Sequence, residues 1–137
     1  MANYVPFMRS NYFKVKDPQA FEAFCKKWDL ELIKTPDPQD PQGQLFGCVN
    51  NGETGLPCGY YDKEKDEFVE EDFMKTLSGH LCEGWVAVVR EVGYEKMRYL
   101  VGFTVAVNSA GRSCVVDLDA IYDRARRLGK HVTQCSW

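Results

Sequence analysis

The clearest pattern of apolar and polar positions lies in the last third of the chain. Residues 86–92 and 97–107 alternate at period two, which is typical of half-buried β-strands. Asn108, Ser109, Ala110 and Gly111 supply turn residues before a short return strand over residues 114–116. The pattern therefore predicts three consecutive antiparallel strands.

Three other segments carry apolar residues at helical spacing. The first begins at Asp17-Pro18, because aspartate can accept a hydrogen bond from a free backbone N–H. Proline at the first helical position loses no helical hydrogen bond, since the N–H that it lacks would have no partner there. Helical spacing favours core packing over cofactor stacking for its apolar stripe, which consists of Phe21, Phe24, Cys25 and Trp28. A second helix is predicted over residues 69–81. A third runs from Asp117, as N-cap, to Gly129, as C-terminal stop.

An N-terminal strand is predicted over residues 3–16, and its pattern contains one inconsistency. Arg9 and Asn11 fall on the face that Phe7 and Phe13 would otherwise make apolar. Two interpretations stay open. Either the polar pair faces water where the strand passes an edge or a bulge, or it marks a binding site.

The middle third is the least regular part of the chain. Short strands are predicted over residues 31–33 and 45–49, separated by a proline-rich loop that cannot hold a helix. Asn51-Gly52 predicts a tight turn. The irregular region then continues to Tyr60 and Tyr61, and binding sites concentrate on loops of this kind.

Together these elements predict one α+β domain over residues 1–137, with a central antiparallel sheet and three helices mainly on one face. A chain of 137 residues can bury an adequate core without disulfides or metals. We find no internal repeat and no linker long enough to divide two domains.

Composition excludes several functional classes. The net charge of -3 leaves no basic footprint, so we expect no direct contact with nucleic acid. No apolar run approaches the roughly 20 residues that span a bilayer, and residues 1–4 lack the features of a signal peptide. We therefore expect a cytoplasmic protein without membrane contact, whose six cysteines are reduced and mostly buried.

Candidate chemistry is sparse. A zinc site could draw on Cys48, Cys58, His80 and Cys82, but structural zinc sites use closely spaced pairs that this set lacks. Neither histidine belongs to a Cys-His motif, and no Gly-rich phosphate loop is present. We therefore expect no cofactor, no metal and no catalytic residue, although an enzyme is not excluded.

The candidate binding residues are Arg9, Asn11, Tyr60, Tyr61, Glu64 and Glu67. Tyrosine is enriched in interface cores because it combines contact area with a polar tip, and the alternative is that the tyrosines cover sheet edges. Seven acids and two lysines fill residues 62–72, which predicts an acidic surface next to Tyr60 and Tyr61. Arg9 offers donors suited to phosphate or carboxylate, and Asn11 offers both a donor and an acceptor.

Several stretches resemble a group of small uncharacterised proteins from bacteria, phages and other mobile elements. The similar stretches are residues 9–17, residues 95–102, residues 106–111 and residues 117–122. The genomic setting of that group implies counter-defence proteins, such as anti-CRISPR inhibitors. The resemblance implies a partner among bacterial defence complexes.

The leading hypothesis is therefore a small interaction protein that binds another macromolecule. The alternative is a small-ligand or nucleotide-signal binding module that uses Arg9 and Asn11 beside Tyr60 and Tyr61. An enzyme of unknown class comes third.

Overall fold

The structure, a computed structural model, describes residues 4–52, 55–95 and 99–135. Its elements in chain order are β1 (Val5–Ser10), α1 (Pro18–Lys27), β2 (Leu30–Asp37), β3 (Asp40–Asn50), β4 (Gly59–Asp62), β5 (Glu67–Glu70), α2 (Phe73–Ser78), β6 (Val86–Glu95), β7 (Tyr99–Asn108), β8 (Ser113–Asp117) and α3 (Ile121–Ala125). A 3₁₀ turn, Leu118–Ala120, joins β8 to α3. No helix in these ranges is both long and apolar enough to cross a membrane.

Six strands form one antiparallel sheet in the order β2-β3-β1-β6-β7-β8, and β4 pairs with β5 in a separate hairpin. β1 lies inside the sheet: it pairs with β6 from Val5↔Tyr94 to Ser10↔Val89 and meets β3 at Arg9↔Val49. The predicted α+β class is confirmed.

The core lies between one face of this sheet and helices α1 and α2. All four residues of the predicted first helical stripe are buried there: Phe21, Phe24, Cys25 and Trp28. The Asp17 carboxylate accepts hydrogen bonds from the backbone N–H groups of Gln19 and Ala20, the second and third residues of α1. Both the predicted start and the predicted buried face of this helix are confirmed.

The strands predicted in the last third are confirmed as neighbours. β6 and β7 are paired from Val86↔Asn108 to Glu95↔Tyr99, and β8 follows on the far side of β7. The Asn108 side-chain oxygen accepts hydrogen bonds from the backbone N–H groups of residues 110 and 112, at 3.0 and 2.9 Å, which closes the turn. Met97, the first predicted residue of β7, lies outside the described residues.

The predicted N-terminal strand over residues 3–16 is too long. β1 ends at Ser10, and Phe13 and Val15 each form only a single bridge with another segment. The change of direction after Ser10 turns Phe13 and Val15 into the core, whereas Phe7 and Arg9 face outward. The first predicted residue lies outside the described part of the chain.

Two predicted helices are also shorter than expected. The helix predicted over residues 69–81 is reduced to α2, because Val69 pairs with Tyr60 in the hairpin and Asp72 caps the helix by accepting the Lys75 N–H at 3.2 Å. The helix predicted from Asp117 does begin there, but it starts as the 3₁₀ turn and α3 ends before Gly129. Its residues are almost all exposed, so little packing holds further turns.

The predicted proline-rich loop is instead a β-hairpin. β2 and β3 are paired from Leu30↔Asn50 to Pro36↔Gln44, with a register shift at Pro36/Asp37 and a turn at residues 38–39. β2 is an edge strand, where proline is tolerated because one row of its backbone N–H groups makes no ladder bond.

The face of the sheet opposite α1 and α2 is open. Phe7, Val92, Tyr94 and Leu100 lie on it, and each side chain is more than half exposed. Leu118 of the 3₁₀ turn lies against Gly102 on the same face. Two helices therefore cover one face, and the C-terminal turn lies at the edge of the other.

Candidate functional site

The β4–β5 hairpin presents an exposed aromatic pair. Tyr61 lies directly opposite Phe68 across the hairpin, and the two side chains are 52% and 55% exposed. Because side chains alternate along a strand, Tyr60 points to the other face of the hairpin, toward α1. The hairpin thus has an inner face with Tyr60 and an outer face with Tyr61 and Phe68.

Tyr60 holds the hairpin against the C-terminal end of α1. Its ring centroid lies 5.3 Å from that of Trp28, which in turn lies 5.3 Å from the ring of Phe73. The Lys27 ammonium lies over the Tyr60 ring at 4.1 Å, a cation–π contact. A two-stranded hairpin is marginally stable alone, so these contacts fix its position.

A groove of about 540 Å³ opens between α1 and the hairpin. Its lining combines aromatic and apolar side chains with three lysines and one aspartate: Lys26, Lys27, Trp28, Asp29, Leu56, Pro57, Cys58, Gly59, Tyr60, Tyr61, Lys63 and Phe68. Among the lining residues lysines outnumber acids by three to one, although Lys26 also forms an ion pair with the exposed Glu22 at 3.8 Å. Lys26 and Lys27 also suit the negative end of the α1 dipole, so part of their role is structural.

The segment that leads into the hairpin is tied to the sheet by Glu91. This buried carboxylate accepts hydrogen bonds from the Leu56 backbone N–H and from the Tyr4 hydroxyl, the latter at 3.0 Å. Burial, and then the hydrogen bond to Glu91, raise the pKa of Tyr4 above its usual value. Gly55 has φ +66° and no room for a Cβ beside the Glu91 carboxylate. Glu91 therefore positions one wall of the groove.

The predicted acidic residues Glu64 and Glu67 do not line this groove. Both are exposed, Glu64 in the turn of the hairpin and Glu67 at the start of β5. The turn is closed by Asp62, whose carboxylate accepts hydrogen bonds from the backbone N–H groups of Glu64 and Lys65 at 3.0 and 3.3 Å. Four of the seven acids, Asp62, Glu64, Asp66 and Glu67, thus lie at or next to the turn of the hairpin, whereas the other three, Glu70, Glu71 and Asp72, lie at its other end, before α2.

Asn11 is engaged with the backbone of β6. Its side-chain oxygen accepts the Val88 N–H at 2.8 Å, and its side-chain nitrogen donates to the Val86 carbonyl at 3.1 Å. These bonds continue the β1–β6 pairing past the end of β1. Asn11 therefore has a structural role that the sequence pattern did not reveal.

Arg9 is exposed on the open face of the sheet. Its Nε donates to the Ser10 carbonyl at 3.2 Å, and its guanidinium carbon lies 5.9 Å from the centre of the Tyr12 ring. Arg9 and Asn11 line a cavity of about 230 Å³ together with Ser10, Val88 and Arg90. The structure therefore brings Tyr60 and Tyr61 into one groove but places Arg9 and Asn11 at a different cavity.

The residues considered for a zinc site differ in burial and in the contacts that they make. Cys48 is fully buried, Cys58 is exposed, and His80 packs against the Phe24 ring with centroids 4.8 Å apart. The described residues contain no group of three or more His, Cys, Asp or Glu placed to hold a metal ion. All six cysteines carry free thiols, but only Cys25 and Cys48 are buried, so the expectation that most of the cysteines are buried is wrong.

Burial controls the titration of the inner thiols and of His80. Burial raises the pKa of Cys25 to about 12 and that of Cys48 to about 11. Burial lowers the pKa of His80, with Asp17 acting in the opposite direction and Lys16 in the same direction. The two inner thiols therefore stay protonated at neutral pH, which does not favour nucleophilic catalysis by them.

Sequence reasoning found Tyr60 and Tyr61 but missed their neighbours. The helical spacing predicts only core packing for Trp28, and Phe68 lies within the stretch that predicts an acidic surface. The available signal for this hairpin was the pair of aromatic residues, Tyr61 and Phe68, on either side of a short polar segment that contains the turn-forming residues Asp62 and Asp66. No protein-family model, curated protein or solved structure matches the chain.

Proposed function

We propose that this protein acts by binding another protein through the outer face of the β4–β5 hairpin and the groove beside it. The observation that carries the proposal is the Tyr61–Phe68 pair, two large aromatic side chains that are both more than half exposed. Aromatic residues of this kind are the usual anchors of protein interfaces. They stand on a hairpin whose inner face is fixed by Tyr60 and Trp28, so the anchors are positioned before binding.

The groove indicates the chemistry of the partner. Lys26, Lys27 and Lys63 line the groove together with aromatic and apolar side chains, which suits an apolar side chain flanked by carboxylates. The exposed acids Glu64 and Glu67 at the hairpin tip would contact the rim of the partner or affect its rate of association. Rim charges mainly steer association, whereas buried anchors hold the complex.

A small anionic ligand, such as a nucleotide signal, is the second candidate for the same groove. Its volume of about 540 Å³ lies within the range of small-molecule sites. Stacking of a base is disfavoured, however, because Lys27 occupies one face of Tyr60 and Trp28 is only 4% exposed. We therefore place the protein partner first.

We further propose that the partner is a bacterial defence complex met in the cytoplasm. The class of partner is supported by the sequence resemblance to small proteins of phages and mobile elements. The cytoplasmic location is supported by the free thiols, three of which are exposed.

The test begins with capture of partners from a bacterial host that carries defence systems, followed by mass spectrometry. The captured protein is then titrated with the wild type and with Tyr61→Ala, Phe68→Ala and Glu64→Lys. We expect each alanine variant to weaken binding about 30-fold or more, as loss of an interface anchor does, and Glu64→Lys to change mainly the association rate.

Controls separate loss of contact from loss of fold. Tyr61 and Phe68 are exposed, so both alanine variants should keep the melting temperature of the wild type within a few degrees. Equal affinity of all three variants would place the interface elsewhere. Native mass spectrometry that shows a stoichiometric small anion, lost in Lys27→Ala, would favour the ligand-binding alternative.

A further inference from the structure

Strand β8 forms an unprotected edge of the main sheet. It is the last strand in the sheet order, and all five of its residues, Ser113–Asp117, are exposed. Edge strands carry a row of unpaired backbone groups that can pair with another chain. The interior of β8 contains only Cys114, Val115 and Val116, so no charge or proline blocks such pairing.

The opposite edge of the sheet is protected in the usual ways. β2 contains Glu31, Lys34 and Pro36, and its register shifts between Pro36 and Asp37. Charged residues, proline and irregularities of this kind prevent strand addition. The contrast between the two edges indicates that β8 is left open for a partner strand.

The hydrogen bonds of the β7–β8 turn show which groups of β8 are free. The Asn108 N–H donates to the Arg112 carbonyl at 3.0 Å, in the same register as Val107↔Ser113. Bonded and non-bonded positions alternate in an antiparallel pair. The backbone groups of residues 114 and 116 therefore face β7, and those of residues 113, 115 and 117 face outward.

The sequence of β8 is self-complementary in this arrangement. An antiparallel copy centred on Val115 places Val115 opposite its own copy, Cys114 opposite Val116, and Ser113 opposite Asp117. The two aspartates are thus kept apart, and each faces a hydroxyl group. With one twofold axis between the copies, each outward N–H and C=O group of one β8 strand pairs with a group of the other, as in an isologous dimer.

The apolar side chains of β8 and of the segment after it set the area that such a dimer can bury. Residues 115–128 include five large apolar side chains that are each more than half exposed: Val115, Val116, Leu118, Ile121 and Leu128. At about 100 Å² for a fully exposed large side chain, burial of all five would remove roughly 300–400 Å² of apolar surface per protomer. In that case, since about 60% of an interface is apolar, two copies would bury about 1,000–1,300 Å² in total, close to the lower limit for specific interfaces.

We propose that two copies of this chain pair through antiparallel β8 strands to form a dimer with a continuous twelve-stranded sheet, twice the six strands of one copy. The pairing uses the sheet edge and the C-terminal segment, not the β4–β5 hairpin. It therefore stands independently of the proposed function.

The first test uses analytical ultracentrifugation under reducing conditions on the wild type, Val115→Pro and Val115→Thr. The wild type should sediment at twice the 15.7 kDa chain mass at high micromolar concentration. Val115→Pro removes an outward N–H without touching a β7 bond, so it should raise the dissociation constant at least tenfold. Val115→Thr keeps the N–H and the branched shape, so it should stay dimeric. A monomeric wild type, or a fully dimeric Val115→Pro, would overturn the proposal.

The second test does not depend on how well the proline variant folds. In a background with Cys58→Ser, Cys114→Ser and Cys135→Ser, the change Val115→Cys places two thiols opposite each other across the axis. Directly opposed residues have Cα atoms about 5.5 Å apart, within disulfide range. Mild oxidation should therefore give a linked dimer. The matched variant Ser113→Cys would hold its thiols about 13 Å apart and should not link. Equal linking of the two variants would contradict the register.

Discussion

Replacement of Asn11 by alanine tests whether this residue is structural or part of a binding site. The change removes both side-chain bonds to β6, the one to the Val88 N–H at 2.8 Å and the one to the Val86 carbonyl at 3.1 Å. A typical hydrogen bond contributes about 0.5–1.5 kcal/mol to the free energy of unfolding. Since these groups lie at the surface and water can replace part of each bond, we expect a loss of about 1–2 kcal/mol.

The loss can be converted into a melting temperature. With an unfolding entropy of about 2.1 cal/mol/K per residue, a chain of 137 residues has about 0.29 kcal/mol/K in total. Asn11→Ala should therefore lower the melting temperature by about 3–7 °C in thermal unfolding followed by circular dichroism. Asn11→Asp keeps the acceptor for Val88 but loses the donor to Val86, so an intermediate decrease is expected.

Arg9→Ala, two residues earlier in the chain, is the matched control. Arg9 is exposed and its hydrogen bond is to the adjacent Ser10 carbonyl, so its removal should change the free energy of unfolding by less than about 0.5 kcal/mol. If Asn11→Ala melts no lower than Arg9→Ala, the two bonds to β6 contribute nothing and the structural assignment of Asn11 is wrong.

Three further predictions concern the core. Phe21→Ala should lower the free energy of unfolding in urea by about 3–5 kcal/mol, because this fully buried ring contacts several others; a loss under 1 kcal/mol would contradict its central position. Burial lowers the pKa of His80 in the folded state below 6.5, so the unfolded chain binds the proton more readily. The contribution of His80 to stability is therefore fully present above pH 6.5 and decreases as the pH falls from 6.5 to the pKa of the folded state. His80→Asn should flatten this pH dependence in thermal melts, and an unchanged pH dependence would exclude His80 as its source. In native protein at pH 8, a disulfide thiol reagent should modify the exposed Cys58 within minutes but reach Cys25 and Cys48 only on unfolding, and early modification of either buried thiol would show that the core opens readily.

Elements specified by adjacent residues could be predicted from the sequence. Asp17-Pro18 contains both the cap and the first helical residue of α1, and the alternation that produces β6 and β7 is a property of each strand alone. The hairpin turn after Asn108 is likewise local. In each case the signal lies within a few residues of the element it predicts.

Elements that depend on a distant partner could not be predicted from the sequence. Val69 and Glu70 have apolar and acidic side chains compatible with a helix start, but they pair with Tyr60 and Gly59 instead. The same holds for Asn11, whose partners lie more than seventy residues away at Val86 and Val88. No local pattern reports such pairings, because tertiary contacts override propensity.

For the same reason, only part of the candidate site could be predicted from the sequence. Tyr60 and Tyr61 stand out by composition, but nothing in the sequence indicates that Tyr60 turns toward Trp28 while Tyr61 faces solvent. That division depends on the register of the hairpin, where one step exchanges the inner and outer faces.

The position of β1 inside the sheet has a consequence for synthesis of the chain. β1 is synthesised well before its β6 partners, Val89 to Tyr94, which follow 79 to 89 residues later along the chain. Residues 5–10 must therefore remain unpaired on that side until β6 has been synthesised. The sheet can be completed only after β6 has emerged and pairs with β1, which joins the two halves of the sheet. During that interval the nascent chain is the form most exposed to aggregation and to chaperones.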